Sequence, residues 1–217
     1  MQLYGRGIRR RLAPMLGDRR RLEMAYSLMF SLPGTPVLRY GDEIGMGDNL
    51  RLPERNAVRT PMQWSGESQA GFSTAKKTVL PVISKGVYSC ERVNVEAQRR
   101  DINSLLNWTE RMIRLRKECP EFGWGDYSIV PTGNSGVLAI QYAWRNNRLL
   151  TLHNFHEKPA TVALALGSKE GEHLTNLLAG EHSDAGPNGK HTIVLEAYGY
   201  RWYRLGGLGH ILKRQKY

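Results

Sequence analysis

The chain has 217 residues, of which 41% are hydrophobic and 24% are charged, and its formal net charge is +11. These values are typical of a soluble globular protein with enough residues for one large or two small domains. Its two cysteines are too few for a disulfide-stapled scaffold. No segment approaches the roughly 18 consecutive apolar residues of a membrane span. Because the first residues also lack the apolar core of a secretory signal, we expect a cytoplasmic protein with no membrane partner.

The basic charge balance raises the question of nucleic-acid binding. Lysine and arginine number 31 against 20 acids, and seven arginines lie within the first 21 residues. However, the sequence has no basic stripe interleaved with aromatic residues, no helix-turn-helix pattern and no zinc-finger spacing. We therefore expect no nucleic-acid partner. We expect these arginines to lie on a solvated helix face or to pair with acidic groups outside this chain.

The cysteines and histidines do not predict a metal site. Cys90 and Cys119 lack further ligands at zinc-site spacing and are expected to be free thiols. His153 and His156 are three residues apart in a predicted strand, where an odd offset directs side chains to opposite faces. We therefore predict neither a metal ion nor a cofactor.

The first predicted elements are two helices. Apolar residues recur at helical spacing across Ile8–Leu16 and predict a short amphipathic helix that Pro14 interrupts. Asp18 is a predicted N-cap for a second helix, Arg19–Leu32, which Pro33 ends. The second half of this helix is apolar nearly all round, so it is expected to be covered on more than one side.

A short strand and a long loop follow. Thr35–Tyr40 predicts a buried strand with Pro36 at its entry, and a helix followed by such a strand is typical of an α/β protein. From Gly41 to about Asn103 the periodicity fades, and long loops in compact domains are usually functional or disordered. Regular spacing returns in Ser104–Glu118, which predicts an amphipathic helix.

The last part of the chain alternates apolar and polar residues with a period of two. Strands are predicted at residues 127–130, 137–144, 149–155, 160–166, 191–195 and 200–205. Turn residues separate these strands, and Asn146-Asn147 predicts a tight hairpin. The pattern indicates an antiparallel all-β module of a size at which sandwiches fold. We predict an α/β part at residues 1–122, a β-sandwich at 123–207 and a basic tail at 208–217.

The long loop carries a resemblance to a known family. The segment LPGTPVLRYGDEIGMGDN at 32–49, followed by RNAVRTPMQW at 55–64 and GFS at 71–73, resembles the last barrel strand and following loop of glycoside hydrolase family 13, the α-amylase family. Together with VNVEAQ at 93–98, these motifs are most similar to the trehalose synthase branch of the family. The resemblance spans about residues 3–205.

The resemblance implies a fold. Arg19–Leu32 would be the seventh helix of a (β/α)8 barrel, Thr35–Tyr40 its eighth strand and Ser104–Glu118 its eighth helix. The residues after 123 would form the β-sandwich that follows the barrel. Since active sites of such barrels lie at the C-terminal ends of the strands, the loop after strand eight would line the substrate pocket.

The resemblance and the chemistry of the loop together suggest substrate-binding residues. Arginine and amide side chains bind sugar hydroxyls with fixed geometry. The resemblance implies that Arg59 lies at the pocket, in contact with the substrate or the catalytic carboxylates, so Arg59 is the first candidate, followed by Arg55 and Gln63. An aromatic ring stacks on the apolar face of a pyranose, a role open to Trp64 or Phe72.

Asp42 and Glu43 form an acidic pair in the same loop. Adjacent residues leaving a strand point in opposite directions, so a joint catalytic role is not expected. We instead expect both carboxylates to pair with arginines and to hold the loop in shape.

The family's reactive acids have no counterpart here. Family members use an aspartate nucleophile, a glutamate acid and a second aspartate, which follow barrel strands four, five and seven. None of these positions can be carried over to this sequence, so no catalytic residue is assigned. We expect the chain to be a C-terminal fragment with Met1 internal or a miscalled start, inactive without the N-terminal barrel portion as its partner.

The expected activity is that of the intact enzyme. Its substrate would be a small α-glucoside, with maltose converted to trehalose by intramolecular glucosyl transfer. One alternative is a fragment of an α-glucosidase or oligo-1,6-glucosidase, in which water is the acceptor. An alternative of another class is a non-catalytic carbohydrate-binding module whose working part is the β-domain.

Overall fold

A computed structural model of the chain describes residues 8–206. Within that range the helices are α1 Leu12–Leu16, α2 Arg19–Ser31, α3 Val95–Arg100, α4 Leu105–Glu118 and α5 Glu121–Trp124. The strands are β1 Asp126–Ile129, β2 Val137–Trp144, β3 Asn147–Asn154, β4 Ala160–Ala165, β5 His173–Asn176, β6 Ser183–Asp184, β7 Lys190–Leu195 and β8 Tyr200–Leu205. Short 3-10 segments at Asp42–Ile44, Glu54–Val58 and Ser68–Gly71 lie between α2 and α3.

The chain divides into two compact units. The first unit contains residues 8–23 and Val37–Ile113, and the second unit contains Met24–Pro36 and residues 114–206. The predicted boundary between residues 122 and 123 stays a prediction, and the predicted basic tail at 208–217 lies outside the described residues. No helix within residues 8–206 has both the length and the hydropathy that crossing a bilayer requires.

The two N-terminal helices begin where local chemistry favours a helix start. The Asp18 carboxylate accepts the backbone N–H of Arg20 at 2.9 Å and of Arg21 at 3.1 Å, which confirms the predicted N-cap of α2. The expected interruption at Pro14 is wrong, because α1 begins at Leu12 and Pro14 therefore lies in its first turn. A proline in that turn removes no intrahelical hydrogen bond.

The predicted strand at Thr35–Tyr40 is wrong for this structure, because the segment is irregular. Val37 is 82% exposed, and within the described part of the chain residues 35–38 take part in no backbone–backbone hydrogen bond. A strand obtains its hydrogen bonds from a neighbour, and all strands of the described residues belong to the two antiparallel sheets of the second unit. The segment therefore has the composition of a strand without the partner that would make it one.

The second unit is the predicted antiparallel sandwich. One sheet has six strands in the order β1-β2-β3-β8-β5-β6, and β4 pairs with β7 in a second sheet. Buried and exposed residues alternate strictly along β4 and β7. Apolar residues of both sheets, including Leu150, Leu164 and Leu195, share one buried core. The six predicted strands are confirmed to within two residues at each end.

Two short strands and one turn position were not predicted correctly. β5 has four residues and β6 has two, too few to show a period, and β5 is formed by pairing Leu174 with Leu205 of β8. The hairpin between β2 and β3 turns at Arg145 and Asn146, because Trp144 pairs with Asn147.

A buried polar cluster of three residues lies in the core of the second unit. Ser27 Oγ lies 3.0 Å from His153 Nε2 and accepts the indole N–H of Trp202 at 3.1 Å. All three side chains are fully buried. Burial lowers the pKa of His153 to about 3, so its imidazole is neutral at physiological pH.

Candidate functional site

A cavity of about 810 Å³ opens in the first unit. One wall comes from residues 59–64, a second from residues 72–80, and Tyr40 and Glu43 form a third side. Behind the first wall, Met62 packs in a buried apolar cluster with Ile44, Met46 and Val95. The wall therefore rests on a fixed core, and concave sites of this kind are the usual place for small ligands.

Three aromatic side chains face the cavity without being buried. Tyr40 is 46% exposed, Trp64 is 47% exposed and Phe72 is 52% exposed. The structure thus brings the predicted stacking residues Trp64 and Phe72 together on one cavity and adds Tyr40, which the sequence analysis did not single out. Half-exposed rings keep a free apolar face, which is the surface that a sugar ring covers.

The two candidate arginines lie on different parts of the loop. Arg59 follows the 3-10 segment Glu54–Val58, and its N–H donates to Asn56 O at 3.1 Å. It lines the large cavity, whereas Arg55 does not. Both arginines line a smaller cavity of about 380 Å³. Substrate contact by Arg59 and Arg55 stays a prediction, and the geometry favours Arg59.

Gln63 is fully buried and does not line the cavity. Its side-chain amide donates to Tyr88 O at 3.3 Å and to Val93 O. In this structure Gln63 therefore fastens the cavity wall to a distant part of the same loop. Its predicted contact with substrate stays a prediction.

Arg11 joins three parts of the cavity rim. The side chain is only 1% exposed, and it donates to Asp42 Oδ1 at 2.8 Å, to Tyr40 O at 2.9 Å and to Val58 O at 3.0 Å. Its guanidinium also lies 5.3 Å from the centre of the Tyr40 ring. Sequence reasoning missed this residue, since nothing distinguishes Arg11 from its exposed neighbours Arg9 and Arg10 in the same basic run.

The two predicted loop-structuring acids have different surroundings. Asp42 pairs with Arg11 and also accepts the backbone N–H of Arg39 at 3.2 Å. Glu43 lines the cavity and is partly buried. Burial raises the pKa of Glu43, assisted by the neighbouring Asp42 carboxylate, while backbone hydrogen bonds and Arg11 act against this rise. Glu43 therefore presents a carboxyl group of raised basicity to the cavity.

The turn that presents Glu43 depends on Gly41. Gly41 has φ 84°, in the left-handed region, and a Cβ there would lie 2.3 Å from Met46 Sδ. The backbone N–H of Met46 donates to Gly41 O at 2.8 Å, which closes the turn. A side chain at position 41 would strain the backbone and displace the core residue beneath it.

The cavity has the chemistry of a sugar-binding wall but not of a complete hydrolytic centre. Arg59, Lys77 and Glu43 supply polar groups around three aromatic rings. Glu43 is the only acidic residue among the described residues that line it. Enzymatic glycoside cleavage ordinarily needs two carboxyl groups across the scissile bond. These residues therefore have the chemistry to bind and orient a glycoside, and they lack a second acid for its cleavage.

Family models match most of the chain. Residues 9–125 match the model of the alpha amylase catalytic domain, and residues 147–204 match that of the sucrose hydrolase-like C-terminal domain. Among proteins, a trehalose synthase of Pimelobacter sp. (strain R48) is 41% identical over 206 residues, and a trehalose synthase of Thermus thermophilus is 40% identical over 203 residues. Each alignment covers 92% of this chain but only 36% and 21% of those proteins. The chain thus spans about a third or less of the length of these relatives.

The fold also matches a solved structure. The crystal structure of the α-amylase from H. orenii superposes with a TM-score of 0.69 at 27% identity, over 91% of this chain and 38% of that one. With the family models, this match places the first part of the chain at the end of a barrel domain and the last part in the antiparallel sheet domain that follows. Since more than half of its residues match the catalytic-domain model, the chain belongs to the α-amylase family, glycoside hydrolase family 13.

Proposed function

We propose that this chain supplies one wall of the glucoside pocket of an enzyme that isomerises maltose to trehalose. The observation that carries the proposal is the cavity lined by Arg59, Trp64 and Phe72, within the loop that bears the family's motifs. The similarity to proteins named trehalose synthase, at about 40% identity over 92% of the chain, supports the choice of reaction.

In this proposal the residues of the chain bind and orient the sugar. Trp64 and Phe72 cover the apolar faces of the glucosyl units, and Arg59 donates to their hydroxyl groups. The carboxylates that form and break the glucosidic bond belong to polypeptide outside this sequence. Isomerisation requires that the released glucose stays bound while the glucosyl group is held, so the pocket must exclude water. Hydrolysis results when water takes the place of glucose.

The remaining barrel is the proposed partner. Residues 35–38 make no backbone–backbone hydrogen bond with the described residues, and Val37 is exposed. Their composition is that of a buried parallel strand, so adjacent strands of the barrel would supply the missing ladder on both sides. The same strands would place their catalytic carboxylates beside the cavity wall.

A chimeric enzyme tests the proposed function. The matching segment of the Pimelobacter trehalose synthase is replaced by this chain, and the products formed from maltose are separated by chromatography. We expect trehalose as the main product and glucose as the minor one. Glucose alone would assign the chain to a hydrolase such as an α-glucosidase. Turnover of maltose by the isolated 217-residue chain would contradict the proposal.

The same chimera tests the role of Trp64. We expect Trp64→Ala to raise the KM for maltose roughly tenfold, because loss of a stacking ring removes about 1.4 kcal/mol of binding energy. Trp124→Ala is the matched control, since Trp124 is a 76% exposed tryptophan of the second unit that does not line the cavity. Equal effects of the two substitutions would argue against stacking at Trp64.

A further inference from the structure

The second wall of the cavity is a segment that few hydrogen bonds hold in place. Residues 73–82 contain no helix or strand, and among the described residues they take part in no backbone–backbone hydrogen bond. The segment still contributes Ser73 and residues 77–80 to the cavity lining. Segments with few hydrogen bonds open locally at low free-energy cost. The position of this wall therefore depends on the few side-chain hydrogen bonds that residues 73–82 make.

Those contacts converge on Gln69. Its side-chain Nε2 donates to Lys76 O at 2.9 Å, and its Oε1 lies 3.3 Å from the Thr78 hydroxyl. The same hydroxyl lies 2.8 Å from Leu80 O, so its single proton is directed at either acceptor. The one other side-chain hydrogen bond described within the segment is local, between Ser73 Oγ and the N–H of Ala75.

The backbone of Gln69 is itself fixed to the opposite wall. Gln69 has φ 52° and Ala70 has φ 56°, both in the left-handed region that non-glycine residues rarely adopt. Ala70 is fully buried, and its carbonyl accepts the N–H of Trp64 at 2.9 Å and of Ser65 at 3.1 Å. Residues held in such conformations cluster at binding and switch sites. The strained turn thus ties Gln69 to the wall that carries Trp64.

The segment also separates two cavities. Beside the large cavity is a second one of about 490 Å³, and Lys77 and Thr78 line both. Gln69 lines only the second cavity, behind the segment. Displacement of residues 76–80 would therefore merge the two spaces and remove the outer wall of the large one.

We propose that residues 73–82 form a lid over the large cavity and that Gln69 is the positioning residue that latches this lid to the wall carrying Trp64. That the enclosed ligand is a glucoside rests on the proposed function, whereas the latch itself does not. In the enzyme, release of the latch admits water, so Gln69 favours isomerisation over hydrolysis.

Lid opening is measured on the 217-residue chain by limited trypsin digestion. Lys76 and Lys77 are exposed trypsin sites within the lid, and mass spectrometry separates cleavage there from cleavage elsewhere. We expect Gln69→Ala to raise the cleavage rate at these two sites about tenfold, and to speed amide hydrogen exchange in residues 73–82 similarly, because the lid loses its main side-chain hydrogen bonds. The rate at other sites and the Tm should stay unchanged.

Two further variants separate the latch from the turn. Gln69→Asn keeps an amide and tolerates the left-handed backbone, but it is one methylene too short to reach Lys76, so it should open the lid as alanine does. Ala70→Gly relieves the adjacent backbone strain and leaves the latch intact, so it should not open the lid. Unchanged lid cleavage in Gln69→Ala, or equal opening by Ala70→Gly, would overturn the proposal, as would a general rise in cleavage with a lower Tm.

Maltose provides the arm that tests the occupant. If the lid closes over a glucoside, maltose should slow trypsin cleavage of the wild-type chain at Lys76 and Lys77. The maltose concentration is about 10 mM, which is on the order of the dissociation constant of a weakly bound sugar. If maltose does not slow lid cleavage but Gln69→Ala accelerates it, the result would count against a glucoside as the occupant and would still support Gln69 as the latch. No effect of Gln69→Ala would remove the latch whatever maltose does.

Discussion

Replacing Arg11 by leucine should lower the free energy of unfolding of the first unit by about 3 to 5 kcal/mol. The side chain is 1% exposed and bonds the Asp42 carboxylate and two backbone carbonyls, those of Tyr40 and Val58. Removing Arg11 takes the ion-pair partner from the Asp42 carboxylate and the side-chain donor from both carbonyls, and losing such buried polar contacts costs free energy. Leucine fills a similar apolar volume, so the decrease in the free energy of unfolding reports the polar contacts of Arg11.

Urea denaturation followed by circular dichroism measures this loss, and hydrogen exchange across residues 40–58 assigns it to the cavity rim. Arg100→Leu is the matched control. Arg100 pairs with Glu96 at 2.6 Å, but the side chains are 76% and 51% exposed, so the expected cost is below about 0.5 kcal/mol. A loss of less than about 1 kcal/mol for Arg11→Leu would show that the rim is held by other contacts.

Mild acid should destabilise the second unit through His153. Burial lowers the folded-state pKa of this imidazole from 6.5 to about 3. Between these two values the unfolded chain binds a proton that the folded chain does not, so stability falls as the pH falls below 6.5. A lowered pKa of this size predicts a loss of about 2 kcal/mol between pH 7.5 and pH 5, most of it below pH 6.5.

Denaturation midpoints measured at steps across this pH range test the expectation. His153→Gln keeps a nitrogen or oxygen near the position of Nε2, next to Ser27, and removes the titrating group. This variant should be less sensitive to acid than the wild type by about the same 2 kcal/mol. His156→Gln is the control for the substitution itself, because His156 is an exposed histidine of the same unit. An identical pH profile for wild type and His153→Gln would contradict the expectation.

Local signals were enough to predict the elements that are stabilised within their own segment. Asp18 caps α2 as expected, and the alternating pattern predicted strands such as β2 and β8, which each find a partner in the same unit. The segment Thr35–Tyr40 has an equally clear pattern but no strand beside it among residues 8–206. The composition of a segment shows that it is suited to be a strand, but it becomes one only if a neighbouring strand is present to pair with it.

The candidate site was predicted less completely, because its organisation depends on long-range contacts. The loop and its aromatic residues were found from motifs, and Trp64 and Phe72 share one cavity. The sequence could not distinguish the buried Arg11 from six other nearby arginines, since its partners lie 29 to 47 residues away. Gln63 looks like a sugar ligand by residue type, but its amide is consumed by backbone carbonyls 25 and 30 residues away.

The cluster of Ser27, His153 and Trp202 bears on where this chain can be divided into separate modules. Ser27 comes from the second half of α2, more than 100 residues before the strands that carry the other two side chains. A recombination crossover or cloning boundary at residue 123 would separate the sandwich from Ser27. The Trp202 indole and the His153 imidazole would then face an empty groove. A sandwich that folds on its own would therefore have to include residues 24–36, which contain about two turns of α2, or have its groove rebuilt with apolar residues.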